Sequence, residues 1–385
     1  MASLLHSRRA RWGVPALAAA ALIGVGPLVH AVTASAQGTL PPRTAAQLLA
    51  DVSQAKVKAL SGTVVETADL GLPALPSLGG RGGNAASFSS MLSGSHTMRV
   101  WYAGPDQQRL ALLGQLGESD LVHNGTNVWA WSSHDNTATH WTVPAGSHHT
   151  QAAPQSPAAG AMTPQQAAEK ALAAIDPSTQ VSTDPTATVA GRAAYQLDLV
   201  PRDSRSLVGS VRIAIDGATH IPIRVQVFAR GATTPAFEVG FTSLSTATPD
   251  ASVFGFTPPP GATVKEGTLP SMKGTGQLHE QMPKQMQGRM PGHLNGAPQV
   301  VGKGWTSVLV ATLPADQQAA GGSTGGTTGA TSPTAMLKAF PRVSGAWGSG
   351  HLLRTALLSA VLTDDGRVAV GAVPPQLLYR ALSAR

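Results

Sequence analysis

Between Ala194 and Ser243 the chain alternates so regularly that half-buried β-strands are the one element that fits it. Tyr195, Leu197 and Leu199 recur at every second position. They are followed by Val211, Ile213 and Ile215, by Ile221, Ile223, Val225 and Val227, and by Phe237, Val239 and Phe241. The positions between carry Gln196, Asp198, Arg212, Asp216, Arg224, Gln226 and Glu238. Successive side chains of a strand point to opposite faces, so each segment has one apolar and one wet face. The predicted strands are 194–200, 208–216, 221–230 and 236–243. A first strand is predicted at 63–70 and shorter ones at 99–103, 109–113, 120–123, 128–132 and 140–143, with Gly104-Pro105-Asp106 and His123-Asn124-Gly125 as turns.

A sheet must cover its apolar face, and two helices are at hand. Thr44 with Gln47 forms a capping box ahead of the stripe Leu48, Leu49, Val52 and Leu60, which predicts a helix over 44–60. Thr163-Pro164-Gln165-Gln166 opens a second, which stops at Asp176-Pro177. Two short helices cannot close over about nine strands. The expected architecture is mainly β with α: a half-open, curved antiparallel sheet with a helical lid and an apolar cavity beneath it. The expected cavity wall is Trp101, Leu110, Leu112, Trp129, Trp131, Leu197, Leu199, Val211, Ile213, Val225, Val227, Phe237 and Phe241. The Pro/Gly/Ser-rich stretch 71–95 reads as a flap beside it.

The N-terminal 36 residues set the compartment. Arg8, Arg9 and Arg11 precede an apolar run from Val14 to about Val32, and Ala34-Ser35-Ala36 supplies the small residues of a cleavage site. These are the three parts of a secretory signal. A retained membrane anchor is the alternative, which Pro15, Gly24, Gly26 and Pro27 weaken as a stable span. The remainder is read as extracytoplasmic, secreted or held in the cell envelope at the outer face of the cytoplasmic membrane. The 385 residues include no cysteine, which excludes disulfides, thiol catalysis and Cys-ligated zinc. Net charge is +7, or +4 once Arg8, Arg9 and Arg11 leave with the signal. That surplus is spread thinly. No cluster of Lys and Arg with interleaved aromatics marks a nucleic-acid partner, and mild basicity suits proximity to an anionic membrane surface.

The organisation that follows is a signal at 1–36, a sheet domain at 37–265, and a linker rich in Met, Gln, Gly and Pro at 266–299. A small α+β unit occupies 300–385, with a Gly/Thr/Ser-rich insertion at 314–334. Within this unit a strand is predicted at 300–313, a helix at 351–362, a strand at 367–373, and a short helix after Pro374-Pro375. No catalytic motif, metal site or cofactor fingerprint is complete. His134, Asp135 and His140 flank a turn, where polar residues belong. Gly345, Gly348 and Gly350 read as turn glycines more readily than as an anion cradle ahead of the helix.

The segment from Val189-Ala190-Gly191-Arg192 through Tyr195-Gln196-Leu197-Asp198-Leu199-Val200-Pro201 resembles a strand opening of the LolA/RseB-like superfamily. Ile215-Asp216 followed by Ile221-Pro222-Ile223-Arg224 is similar to its next hairpin, and Phe254-Gly255-Phe256-Thr257-Pro258 to its close. The resemblance covers about residues 40–265. It implies an exported, unclosed barrel without catalytic function, one that carries a lipid or lipoprotein acyl chains in its cavity. The stretch Val301-Gly302-Lys303-Gly304-Trp305 is similar to the second domain of the RseB-like branch. That implies the alternative role of an envelope-stress regulator, which docks on a membrane anti-sigma factor.

Overall fold

The computed structural model describes residues 40–71, 93–114, 117–143, 177–267, 299–313 and 340–384. The expected signal, second helix and Gly/Thr/Ser insertion, and all but the ends of the flap and of the Met-rich linker, lie outside the described residues.

Helix α1 (Ala45–Gln54) is capped as expected. The Thr44 hydroxyl accepts the Gln47 N–H at 3.2 Å, and the Gln47 side chain accepts the Thr44 N–H at 2.9 Å. The helix stops short of the predicted end because Leu60 pairs with Tyr102 in the first ladder. The strands that follow are β1 (Leu60–Ala68), β2 (Gly94–Tyr102), β3 (Gln107–Gly114), β4 (Gly117–Asn124), β5 (Asn127–Ser132) and β6 (Thr137–Thr142). Next come β7 (Thr179–Val189), β8 (Arg192–Pro201), β9 (Val208–Asp216), β10 (Pro222–Ala229), β11 (Pro235–Ser245) and β12 (Thr263–Glu266).

These form one twelve-stranded sheet in the order β12-β6-β5-β4-β3-β2-β1-β11-β10-β9-β8-β7. Every pairing is antiparallel except that of β12 with β6. The sheet is curved, and its terminal strands β12 and β7 do not meet, so the barrel stays open as expected. Two strands escaped the sequence reading. β7 alternates weakly, with Val181, Pro185, Ala187 and Val189 on one parity interrupted by Thr183, and Ser182, Asp184, Thr186 and Thr188 on the other. An edge strand tolerates that pattern, and the ladder bulges between Asp184 and Ala187 to accommodate it. β12 is four residues long and fully exposed.

The C-terminal sheet runs β13 (Gln299–Val301), β14 (Val308–Thr312), β18 (Arg367–Gly371), β17 (Ser359–Thr363), β16 (Gly348–Arg354) and β15 (Arg342–Gly345). The single strand expected at 300–313 is two, separated by a 3₁₀ turn at Gly304–Thr306. The helix expected at 351–362 is instead the β16–β17 hairpin. Short apolar runs fit either element; here all five residues of β17 are buried between β16 and β18. A Cβ on Gly350 would sit 2.3 Å from the Leu362 carbonyl oxygen, so this glycine permits close strand approach. Helix α2 (Pro375–Ser383) follows Pro374 as predicted and buries Leu378, Ala381 and Leu382 on Val308, Val361 and Ala369.

The two sheets share a core. Trp305, Leu357 and Ala372 pack against Val208, Val211 and Val225. The Leu207 N–H donates to the Ala372 carbonyl and the Ala356 N–H to the Leu70 carbonyl, each at 2.8 Å.

Candidate functional site

Strand register assigns each expected wall residue to a face. Leu197, Ile213, Val225, Val239, Glu66 and His96 lie abreast across six strands. Flanking rows on the same side hold Leu199, Val211, Val227 and Phe237, and then Phe241, Val64, Met98 and Leu112. Leu110 follows, two residues from Leu112. Ten of the thirteen expected wall residues therefore share one face. It is called the inner face here because α1 and the second sheet pack on it.

Trp101, Trp129 and Trp131 are the exception. Trp101 lies abreast of Arg109, Val122, Trp129 and His140, and Trp131 abreast of Asp120 and Ala138, all on the opposite, outer face. The expectation of one continuous wall is corrected on this point. In Val100-Trp101-Tyr102 and Val128-Trp129-Ala130-Trp131 both parities are apolar, so alternation could not say which set faces inward. The outer tryptophans form a second small core. The Phe256 ring lies 5.4 Å from Trp129 and 6.4 Å from Trp131, and His140 stacks on Trp129 at 4.3 Å. Arg109 lies over Trp101, bonds Asp120 at 2.8 Å and donates to the Val253 carbonyl at 3.2 Å. His140 is held by Glu266 at 3.1 Å and Asn127 at 2.9 Å. No group of three or more His, Asp or Glu among the described residues could hold a metal.

The inner face divides in two. Over β7–β11 it is packed: Leu48, Leu49 and Val52 of α1 meet Tyr195, Leu197 and Ile215, and Trp305 of the second sheet meets Val211 and Val225. Over β2–β6 it is mixed, with apolar residues concentrated in the middle row. One row holds Val100, Leu110, Leu121, Ala130 and Thr139, and the next Leu60, Tyr102, Gln108, His123, Val128 and Trp141. Leu121 is 42% exposed there, mid-strand between its apolar cross-strand partners Leu110 and Ala130. Phe241 reaches over Gly62 at the border of the two halves, where a Cβ would come within 2.9 Å of its ring.

A buried polar pair on β1 and β2 stands between the two halves. Glu66 and His96 are both buried, and His96 Nδ1 lies 3.0 Å from Glu66 Oε2. Glu66 Oε1 has no hydrogen-bond partner among the described residues. Burial pushes the Glu66 carboxyl above its ordinary range, and the bond to His96 offsets this only in part. The sequence reading passed over this pair. The signal was a glutamate at an inward parity within Val64-Val65-Glu66.

A groove of about 560 Å³ lies where the two sheets meet. Its floor includes Val301, Trp305, Val308 and Leu377, and its rim Arg202, Arg205, Lys303 and Arg380. Trp305 is fixed by its indole N–H, which donates to Thr179 Oγ1 at 2.7 Å. Arg205 bonds Asp203 at 2.7 Å and helps to hold that carboxyl at about 2.

The chain is similar to MucB. The complex of Pseudomonas aeruginosa MucA and MucB matches at 16% identity, over 88% of this chain and 96% of that one, with a TM-score of 0.40. MucB in complex with MucA(peri) matches at 16% identity, over 88% and 97%, with a TM-score of 0.39. A LolA superfamily protein from Nitrosomonas europaea matches at 10% identity, over 56% of this chain and 99% of its own, with a TM-score of 0.21. The superfamily expected from the sequence motifs is represented among these structures, and the likeness is one of fold alone. No family model and no curated protein matches the chain.

Proposed function

We propose that the protein is a non-enzymatic binding protein of the cell envelope that takes a lipid, or the acyl chains of a lipoprotein, on its inner face. The observation that carries this reading is the apolar row Val100, Leu110, Leu121 and Ala130, in which Leu121 is 42% exposed, flanked by Tyr102, Val128 and Trp141 and by the polar Gln108 and His123. Contiguous apolar surface of this kind marks an interaction site. Each methylene group laid on it contributes about 0.8 kcal/mol, so an acyl chain needs no covalent or catalytic assistance. Titration with a fluorescent long-chain fatty acid tests the reading. Saturable binding is expected, and Leu121→Asp should weaken it at least about tenfold, because a carboxylate beside the chain must be desolvated. Equal binding by the folded variant refutes it.

A second reading is regulatory docking on a membrane anti-sigma factor. It is favoured by the shared core of Trp305, Leu357 and Ala372 with the main sheet, since a tail packed in this way is part of the binding body. The groove between the sheets is the natural place for a partner. The exposed variants Lys303→Glu and Arg380→Glu test it: loss of partner capture with fatty-acid binding intact supports docking, and retention of both contradicts it.

A further inference from the structure

Both faces of the small sheet are apolar, and α2 covers one of them, where Val308, Val361, Ala369 and Leu352 lie. Across the other face one row runs Val300, Leu309, Val370, Ala360 and Leu353, with Leu362 and His351 in the next. Val300 and Leu309 are 42% and 37% exposed, whereas Ala360 and Leu362 are buried. None of the hydrophobic clusters among the described residues holds either of the buried two. The large sheet meets this side of the small one at one end, through Leu357 and Ala372.

The connection from β14 to β15 has to cross one face. Every pairing in the small sheet is antiparallel, so β14 and β15 run parallel, with β18, β17 and β16 between them. Residues 314–339 therefore traverse four strand spacings, about 19 Å. Crossovers between parallel strands of one sheet are right-handed almost without exception. The hand selects the face. Leu313 shares the parity of Leu309, and its N–H donates to the Gly366 carbonyl at 2.9 Å, so its backbone groups point toward β18. In a strand of L-residues that runs upward with a side chain toward the viewer, that residue's N–H and C=O point to the right. Seen from the Leu309 face, β18 and finally β15 thus lie to the right of β14. A right-handed crossover then passes in front, over the face opposite α2. The far end agrees. His351, on that face, donates from Nδ1 to the carbonyl of Phe340 at 2.8 Å, and Phe340 leads into β15.

We infer that the apolar face opposite α2 is the docking surface for the chain's own connection 314–339. Met336 and Leu337 are the large apolar residues of that connection. Three or four residues reach about 10–13 Å, so from Phe340 these two side chains meet Leu353, Ala360 and Leu362. The Gly/Thr/Ser-rich stretch before them is then the spacer that spans the remaining strands. The inference is independent of both functional readings, and it closes this face to a second protein.

The chain has no cysteine, so introduced pairs report proximity without background. Leu337→Cys is combined either with Leu353→Cys, on the face opposite α2, or with Leu352→Cys, its neighbour on the α2 face. Folded full-length chains are treated with a short bifunctional maleimide. Cross-linking within one chain should be at least about tenfold faster for the first pair, because proximity raises the effective concentration. Equal rates, a faster second pair, or no cross-link in either overturns the inference. So does a product of twice the chain mass, which would seat a second copy on the face. Met336→Asp/Leu337→Asp supplies a second measurement, because carboxylates resist burial against apolar side chains. In that background maleimide labelling of Leu353→Cys should rise at least about threefold while Leu352→Cys holds its rate. Labelling that rises alike at both positions, or at neither, contradicts the docking.

Discussion

Glu66 and His96 stand opposite each other on β1 and β2, with His96 Nδ1 3.0 Å from Glu66 Oε2, and both are buried. A buried carboxylate is tolerable there because one oxygen has this partner. Removing the partner by His96→Ala leaves a buried charge less satisfied and should cost about 3 kcal/mol. Urea denaturation measures it, and Glu66→Gln in the same chain should restore part of the loss. A change below about 0.5 kcal/mol contradicts the burial of the pair.

The same carboxyl makes stability depend on pH. Burial raises the Glu66 pKa above its ordinary 4.5, so the folded state holds this proton more tightly than the unfolded state. Its contribution is fully present below that ordinary value and is lost as pH rises through the higher folded value. Glu66→Gln cannot titrate. Between pH 4.5 and neutrality, the urea midpoint of wild type should therefore decline relative to the variant; parallel curves would show that the group does not matter.

Asp216 runs the other way. Burial disfavours its charge, but Arg192 at 2.6 Å and the Thr219 hydroxyl at 2.7 Å outweigh this and lower its pKa below 3.8. Its contribution is present above that value and lost as pH falls beneath it. Arg192→Ala should unfold at a higher pH in an acid titration followed by tryptophan fluorescence.

This pair also explains the motif that was legible first. Val-Ala-Gly-Arg ends in the residue that clamps Asp216 across the β8–β9 ladder. Ala190 and Gly191 adopt positive φ, 51° and 73°, to form the tight β7–β8 turn. Strands with one apolar parity, such as β8 and β9, were read nearly to the residue. Where both parities are apolar, as around Trp101 and Trp129, the face was not legible, because register is settled by what covers each side. Phe254 and Phe256 cover the outer side from more than a hundred residues away in sequence. β7 and the β16–β17 hairpin were missed for related reasons: an edge strand whose inward parity includes Thr183 and Pro185 alternates weakly, and short apolar runs look alike as strand or helix.

The division of the tryptophans separates binding from packing. Trp131→Ala removes an outer-face side chain beside Phe256 and should cost about 3 kcal/mol of stability, with fatty-acid affinity unchanged per folded molecule. Leu121→Asp, on the opposite face, should show the reverse pattern. Calorimetry beside fatty-acid titration distinguishes them, and a matching loss of affinity in both would restore the single-wall picture.

Trp305 joins the two sheets through the Val211 and Val225 core and its bond to Thr179. Trp305→Ala should cost about 3–5 kcal/mol and let the second sheet separate, seen as earlier proteolytic release of the C-terminal fragment. Release at the wild-type rate contradicts a shared core.

Organic extraction and mass spectrometry of the chain, purified from a host whose envelope lipids it can meet, bear most directly on the inner-face site. A lipid recovered at about one per chain, and lost from Leu121→Asp, is the predicted result. A folded chain that yields no lipid and takes up none on titration would contradict it.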